Sequence, residues 1–427
     1  MFKELYLTNF KNFEQSTLKL GHMTLLLGTN ASGKSNLREA FRFLHGIGRG
    51  YVLADIIGTK YGEGGDLQWR GIRGGFAELS YRKNRSVEVG VRIQPPFSKS
   101  DLIYRIEIEP GFPSTGRARV IRESLYDQDE MLFDSHPTQL PPIQEDSQSL
   151  QVRIKPGGKF RKGHLERFSV TQSVLSQIES VLEEKKRTDA NGEQVSLTTK
   201  WLMSSFASMR FLDLSPDSMR LPSFPGQVVL GDRGENLSTV LQAICEDSAK
   251  KRAMTEWLRE LTPMDASDFE FPTDLTGRTL LTLVEKSGQR ISGYSASDGT
   301  LRFLAMIAAL LGPEPAKFYF FEEIENGIHP TRIHLLMDLI EQRVKQGDVQ
   351  LVATTHSPQL LRMANLETRL HASLIYRLSE KDTANILRLS DFPAEARKIL
   401  ESQDVAHLYE SGWFEDLVNF MPSEKTK

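Results

Sequence analysis

Apolar positions fall into three patterns along the chain. Met23–Leu27 is an unbroken apolar run between Gly21 and Gly28, and reads as a buried strand. Phe318–Phe321 and Gln350–Thr355 are further short strands. Ser86–Ile93 and Leu102–Ile108 alternate apolar with polar residues, the mark of antiparallel strands, and Leu5 and Leu7 begin another short strand. Helical spacing links Leu37, Ala40, Phe41 and Leu44 after Lys34, and Ile333, Leu336, Met337, Ile340 and Val344 further on. Val170, Val174, Ile178 and Leu182 predict one helix face between Ser169 and Lys186, ended by a break at Asp189–Gly192. Phe303–Leu311, the longest apolar run, reads as a buried helix opened by Ser297. The Pro-, Gln-, Ser- and Asp-rich stretch Asp134–Ser149 predicts a loop, and Asp391–Phe420 a short helical tail.

Helix and strand alternate at both ends of the chain, which favours a parallel α/β sheet covered by helices. The glycine-rich middle, from about residue 50 to 165, predicts a strand-rich lobe. No internal repeat is present, and no heptads are sustained enough for a coiled-coil arm. The 427 residues exceed one ordinary domain, and 39% apolar with 26% charged residues fits a folded protein. A net charge of −3 argues against wholesale electrostatic binding to nucleic acid or membrane. Cys245, alone in its type, can form no internal disulfide, and no apolar run reaches the ~20 residues that span a bilayer. The start, Met1–Leu5, alternates like a strand rather than a signal peptide. A cytoplasmic location without membrane contact is the expectation.

Gly28-Thr29-Asn30-Ala31-Ser32-Gly33-Lys34-Ser35 fits GxxxxGK[ST] without a gap, after a buried strand and at the start of a helix. Such a loop wraps phosphates with its backbone. Lys34 would then reach the β and γ phosphates of ATP, and the Ser35 hydroxyl would hold Mg²⁺. Asn30 and Gly33 belong to the same cradle. The competing reading is a glycine-rich turn that merely starts a helix. Phe318–Phe321 ends in Glu322-Glu323. One acid at such a strand end holds the metal, assigned to Glu322, and the next activates water, assigned to Glu323. Alone, the pair reads equally well as a solvated strand end.

His356, 33 residues beyond Glu323, ends the next strand, where an imidazole can sense the γ-phosphate. Ser297, 25 residues before Glu322, caps the apolar helix within Ser295-Ala296-Ser297-Asp298-Gly299-Thr300-Leu301. Lys11, in the loop after the first strand, is a further candidate to approach the nucleotide, and Gln68 one to link Mg²⁺ to the inserted lobe, with an ordinary polar loop as the alternative for Gln68.

These motifs together resemble the ABC-type ATPases related to RecF, SMC and OLD proteins, and the compact bacterial ATPases of the AAA family. The likeness rests on Leu7–Phe13, the P-loop, Ser295–Leu311, Phe318–Pro330 and Leu351–Pro358, with Arg210–Arg220 and Gly231–Leu241 also similar. It implies an α/β fold: a P-loop NTPase head of ABC type, with a parallel sheet and helices plus an antiparallel β lobe, and an inserted mixed α/β region. The expected parts are 1–95 and 276–390 for the head, 96–275 for the insertion and 391–427 for the tail. It further implies a homodimer or higher oligomer, in which Ser297 and Gly299 contact ATP held by the other subunit. The implied role is a switch in DNA repair or in defence against phage and foreign DNA, controlling an effector such as a nuclease or toxin. Two departures stand out. The signature reads Ala-Ser-Asp-Gly-Thr, and the metal acid is Glu322 where transporters carry Asp.

Basic clusters at Arg70–Arg73, Arg82–Arg85, Arg117–Arg122 and Lys155–Lys162 fit either contact with DNA or a solvated hairpin surface. No acidic nuclease set follows His356. A transporter's nucleotide-binding subunit and a non-hydrolysing ATP-bound scaffold are the rival readings. The variant signature and long insertion count against the first, and Glu323 against the second.

Overall fold

The computed structural model describes residues 1–111, 118–135, 148–155, 164–185, 189–261, 265–347, 349–377, 383–402 and 404–420. The chain divides into two compact units, each assembled from distant segments. The first holds 1–21, 28–209 and 373–388; the second holds 22–27, 210–372 and 389–427.

The first unit is organised by an eight-stranded sheet in the order 164–169, 149–154, 130–134, 119–127, 102–109, 87–93, 2–10 and 13–19. Its neighbours run antiparallel, as alternation predicts: along Leu102–Glu109 every second residue is buried. The first strand spans Phe2–Phe10 rather than a short piece around Leu5 and Leu7. It pairs on both sides, with Phe13–Lys19 and Val87–Ile93, and takes a left-handed step near its end at Asn9, φ 54°. The helices Lys34–Gly48 and Ala190–Ala207 pack together, and Gly48 permits this because an added Cβ would strike the Phe206–Ala207 backbone. The helix expected from Ser169 begins later. His164–Ser169 is a strand, and the helix is Val174–Glu184, so Val170 lies outside it. Asp189 ends nothing; its side chain accepts from the Gly192 amide and starts the helix Ala190–Ala207. The loop expected over Asp134–Ser149 falls outside the described residues apart from its two ends, which belong to strands.

The second unit contains parallel strands in the order Arg210–Leu212, Phe318–Phe321, Gln350–Thr354 and Met23–Leu27. All residues of the last three are buried, which is why they read as apolar runs instead of alternating. Asp298–Leu311 is the buried helix anticipated from its apolar run, and Ile333–Lys345 presents Ile333, Leu336, Met337, Ile340 and Val344 to the core. The tail is helical as expected, over Ala394–Ser402, Val405–Glu410 and Trp413–Phe420. Among the described residues no helix is long and apolar enough to cross a membrane.

Candidate functional site

The candidate residues form two groups, one in each unit. In the first, the strand ending at Leu27 runs directly into Gly28, and the loop closes at Gly33, the N-cap of Lys34–Gly48. Gly28 and Gly33 have φ of 135° and 126°, which L side chains rarely adopt. Space forbids a side chain too: a Cβ on Gly28 would overlap the Ile375 carbonyl, and one on Gly33 would lie 2.8 Å from Asn12 Nδ2. Ala31 also takes a positive φ, 61°, at the exposed loop tip beside Asn30.

Lys34 is buried, and its ammonium donates to the Gly28 and Thr29 carbonyls at 2.6 and 2.8 Å. Ser35 is half-buried in the first helical turn. That turn carries no acid, and the N-cap makes no side-chain hydrogen bond. The helix end is therefore suited to an anion. The buried Ser32 hydroxyl has no hydrogen-bond partner among the described residues, a donor left over under the same loop.

Asn12, which the sequence did not single out, fixes the loop from below. Its Nδ2 donates to the Ser32 carbonyl at 3.1 Å, its Oδ1 accepts from Asn36 at 2.8 Å, and its own carbonyl accepts from the Ala384 amide at 2.7 Å. Neighbouring Lys11 has φ 52°, and its amine donates to the Arg73 carbonyl. Burial draws the Lys11 pKa down, against the opposing pull of Glu39 and Glu78. Gln68 is exposed on the small hairpin Lys60–Tyr61/Leu67–Trp69, its amide against Gly62.

In the second unit, Phe318–Phe321 delivers Glu322, half-buried, and Glu323, exposed. Glu323 has φ 47°, a left-handed conformation costly for any residue that carries a Cβ, and it is held here by its neighbours. Its amide donates to Thr354 Oγ1 at 2.9 Å, and Asn326 donates to its Oε2 at 3.3 Å. Thr354 ends the adjacent strand, and His356 follows it, exposed. The His356 amide donates to Glu325 Oε1 at 2.9 Å. Glu322, Glu323 and His356 thus stand at the carboxyl ends of neighbouring parallel strands, where open α/β sheets place their ligands.

Ser297 and Gly299 open the helix Asp298–Leu311. Ser297 Oγ accepts the Thr300 amide at 3.2 Å, and a Cβ on Gly299 would overlap the Gly327 carbonyl, so the loop after Glu323 lies against this helix start. Arg220, left without a role by the sequence, donates to the Ala296 carbonyl at 3.2 Å and to Asp298 at 2.5 Å, neutralising the acid in the first turn. Among the basic clusters, Arg85 and Arg119 share Glu109 at 2.9 and 2.5 Å, and Lys155 pairs with Glu130 at 2.5 Å. Arg117, Lys159, Arg161 and Lys162 lie outside the described residues.

Comparison with known proteins gives a family and remote structural likenesses. A protein of Helicobacter pylori named "ATP/GTP phosphatase" is 22% identical over 170 residues, 38% of this chain and 45% of that protein, so the likeness spans less than half of the relative's length. The SMC head domain from Thermotoga maritima is similar at 13% identity and a TM-score of 0.42, covering 91% of this chain and 98% of that one. An SMC head with an extended coiled coil from Pyrococcus furiosus, bound to the C-terminal domain of ScpA, gives 14% identity and a TM-score of 0.44, with 94% and 98% covered. The model of the family described as "AAA domain, putative AbiEii toxin, Type IV TA system" matches residues 23–362, which contain the P-loop, both acids and His356. Most of the 427 residues lie in that match, and the chain belongs to this family as a P-loop ATPase domain of the AAA class.

Proposed function

We propose that the chain hydrolyses ATP with Glu323 as general base, and that two copies close around the nucleotide to switch a partner effector. The observation that carries the reading is the backbone of Glu323, held at φ 47° at the end of a buried parallel strand by the Thr354 hydroxyl. A strained, fixed acid at that place is what positioning a water requires, whereas a solvated strand end needs no such conformation. In the reaction, Glu323 takes a proton from water as its oxygen bonds to the γ-phosphorus. The bond from that phosphorus to the bridging oxygen of ADP breaks, and the proton passes to phosphate.

Gly33, the Lys34 ammonium and the loop amides hold the phosphates, Asn30 lies at the loop tip, and His356 reads the γ-phosphate. Ser35 and Glu322 are oxygen donors of the kind Mg²⁺ accepts, and the ion when bound offsets phosphate charge. Ser297 and Gly299 act on the nucleotide of a second copy. The curated relative's name supports hydrolysis, and the family description, which names a toxin of a Type IV TA system, supports a toxin as the effector. The acid partners of Arg85, Arg119 and Lys155 count against a nucleic-acid backbone as the ligand of the strand-rich lobe.

Phosphate release by purified protein tests the reading. Glu323→Gln should lower kcat by about a hundredfold or more while ATP still binds, and should accumulate an ATP-bound dimer. Unchanged turnover in that variant refutes the base assignment.

A further inference from the structure

We propose that Glu325 is a positioning residue that holds His356 in its working place and so ties the base loop to the phosphate-sensing loop. The proposal rests on the hydrolytic reading above and gives a role to a residue of the Phe318–Pro330 segment that the sequence left without one. Glu325 is half-buried two positions beyond the base. One carboxylate oxygen accepts the His356 amide at 2.9 Å, across 31 residues of sequence. The other is buried and has no hydrogen-bond partner among the described residues. One oxygen of this half-buried carboxylate is enclosed while the other reaches the His356 amide, so the side chain is held in one orientation, a placement that calls for a reason beyond packing.

The reason follows from the contacts on either side. Glu323 is pinned to Thr354, Glu325 to His356, and Gly327 lies against Gly299. Five consecutive residues therefore touch the end of the next strand, the histidine and the start of the Ser297-capped helix. The Thr354 bond already fixes the base. Removing the Glu325 carboxylate leaves that bond intact and releases the histidine loop alone. The residue thus acts through His356, not on the nucleotide.

The test is a double-mutant cycle on ATP hydrolysis by the full chain, with Glu323→Gln as the control for the underlying reading. Glu325→Ala should lower kcat about tenfold to a hundredfold, the range for a hydrogen bond to a charged group, with KM for ATP changed less than about threefold. Glu325→Gln keeps the acceptor oxygen and should retain at least about a third of kcat. In a His356→Ala background the Glu325→Ala change should add less than about threefold, because both act through one group. Thermal unfolding is recorded for each variant. If Glu325→Ala does not fold, Glu325→Asp, whose shorter arm withdraws from the amide, takes its place in the cycle.

Wild-type turnover that Glu323→Gln abolishes and Glu325→Ala leaves unchanged overturns the proposal alone. Equal losses in the Ala and Gln variants, or additive losses with His356→Ala, also overturn it. If the wild-type chain releases no phosphate, the hydrolytic reading falls and this inference falls with it.

Discussion

Two helix starts in this chain are both read from the sequence as nucleotide contacts, and they differ in what they leave available. Lys34–Gly48 begins at Gly33 with no side-chain cap and no acid in its first turn, so its amides and dipole are offered outward. Asp298–Leu311 begins at Ser297, whose hydroxyl already takes the Thr300 amide, and its first-turn acid is answered by Arg220. The first end is open to an anion. The second is internally satisfied and firmly placed, with its remaining groups suited to a ligand that arrives already held elsewhere. The difference favours unequal roles in the proposed dimer, where one end binds the nucleotide and the other closes over it.

The sharpest way to break this contrast is to disable each end in turn. Lys34→Ala removes the one ammonium in the loop, and ATP binding should weaken by at least about a hundredfold by calorimetry or filter binding. Wild-type affinity in that variant would mean that the open helix end is not the phosphate site. Ser297→Arg should leave ATP binding by the single subunit within about threefold but abolish turnover of the homodimer. Mixing the Lys34→Ala and Ser297→Arg proteins creates dimers with one intact composite site, and phosphate release should return toward a quarter of the wild-type rate. No return at any mixing ratio would place both groups on the same subunit's nucleotide.

What the sequence made legible follows the same physical line. Unbroken buried strands such as Met23–Leu27 and Phe318–Phe321 announce themselves, because both faces must be apolar. The loop from Gly28 to Ser35 is read from spacing, since the glycines answer a local backbone demand. Asn12, Arg220 and Glu325 lie in segments that carry the family likeness, but their roles stayed hidden. Each is an ordinary polar residue whose meaning lies in a partner far along the chain: Ser32 and Ala384 for Asn12, Asp298 for Arg220, His356 for Glu325. Val170 misled for the opposite reason. It fits the helical period, but strand pairing of Ser169 with Ser149 claims the chain until the helix starts at Val174.

A third helix start sharpens the comparison, because its acceptor is built into the chain. The helix Val174–Glu184 begins on the carboxylate of Glu123, which accepts the Val174 and Leu175 amides at 2.7 and 2.9 Å. The Ser173 and Tyr104 hydroxyls donate to it as well, at 2.7 and 3.0 Å. Complete burial outweighs these four donors and pushes the Glu123 pKa up to about 7. The sign follows directly. A carboxyl whose folded pKa exceeds its unfolded value stabilises the fold fully at acid pH, and that contribution is lost as pH rises through about 7. Glu123→Gln keeps an acceptor and a donor without titrating. Relative to wild type, its stability should gain by up to about 3 kcal/mol between pH 4.5 and 7.5, with ATP turnover unaffected. Urea unfolding of both proteins at the two pH values measures this difference of differences. A gap between the proteins that stays constant with pH would show that the carboxylate is ionised in the fold throughout. The buried helix start would then bind a full negative charge, as the open one at Lys34 is proposed to do.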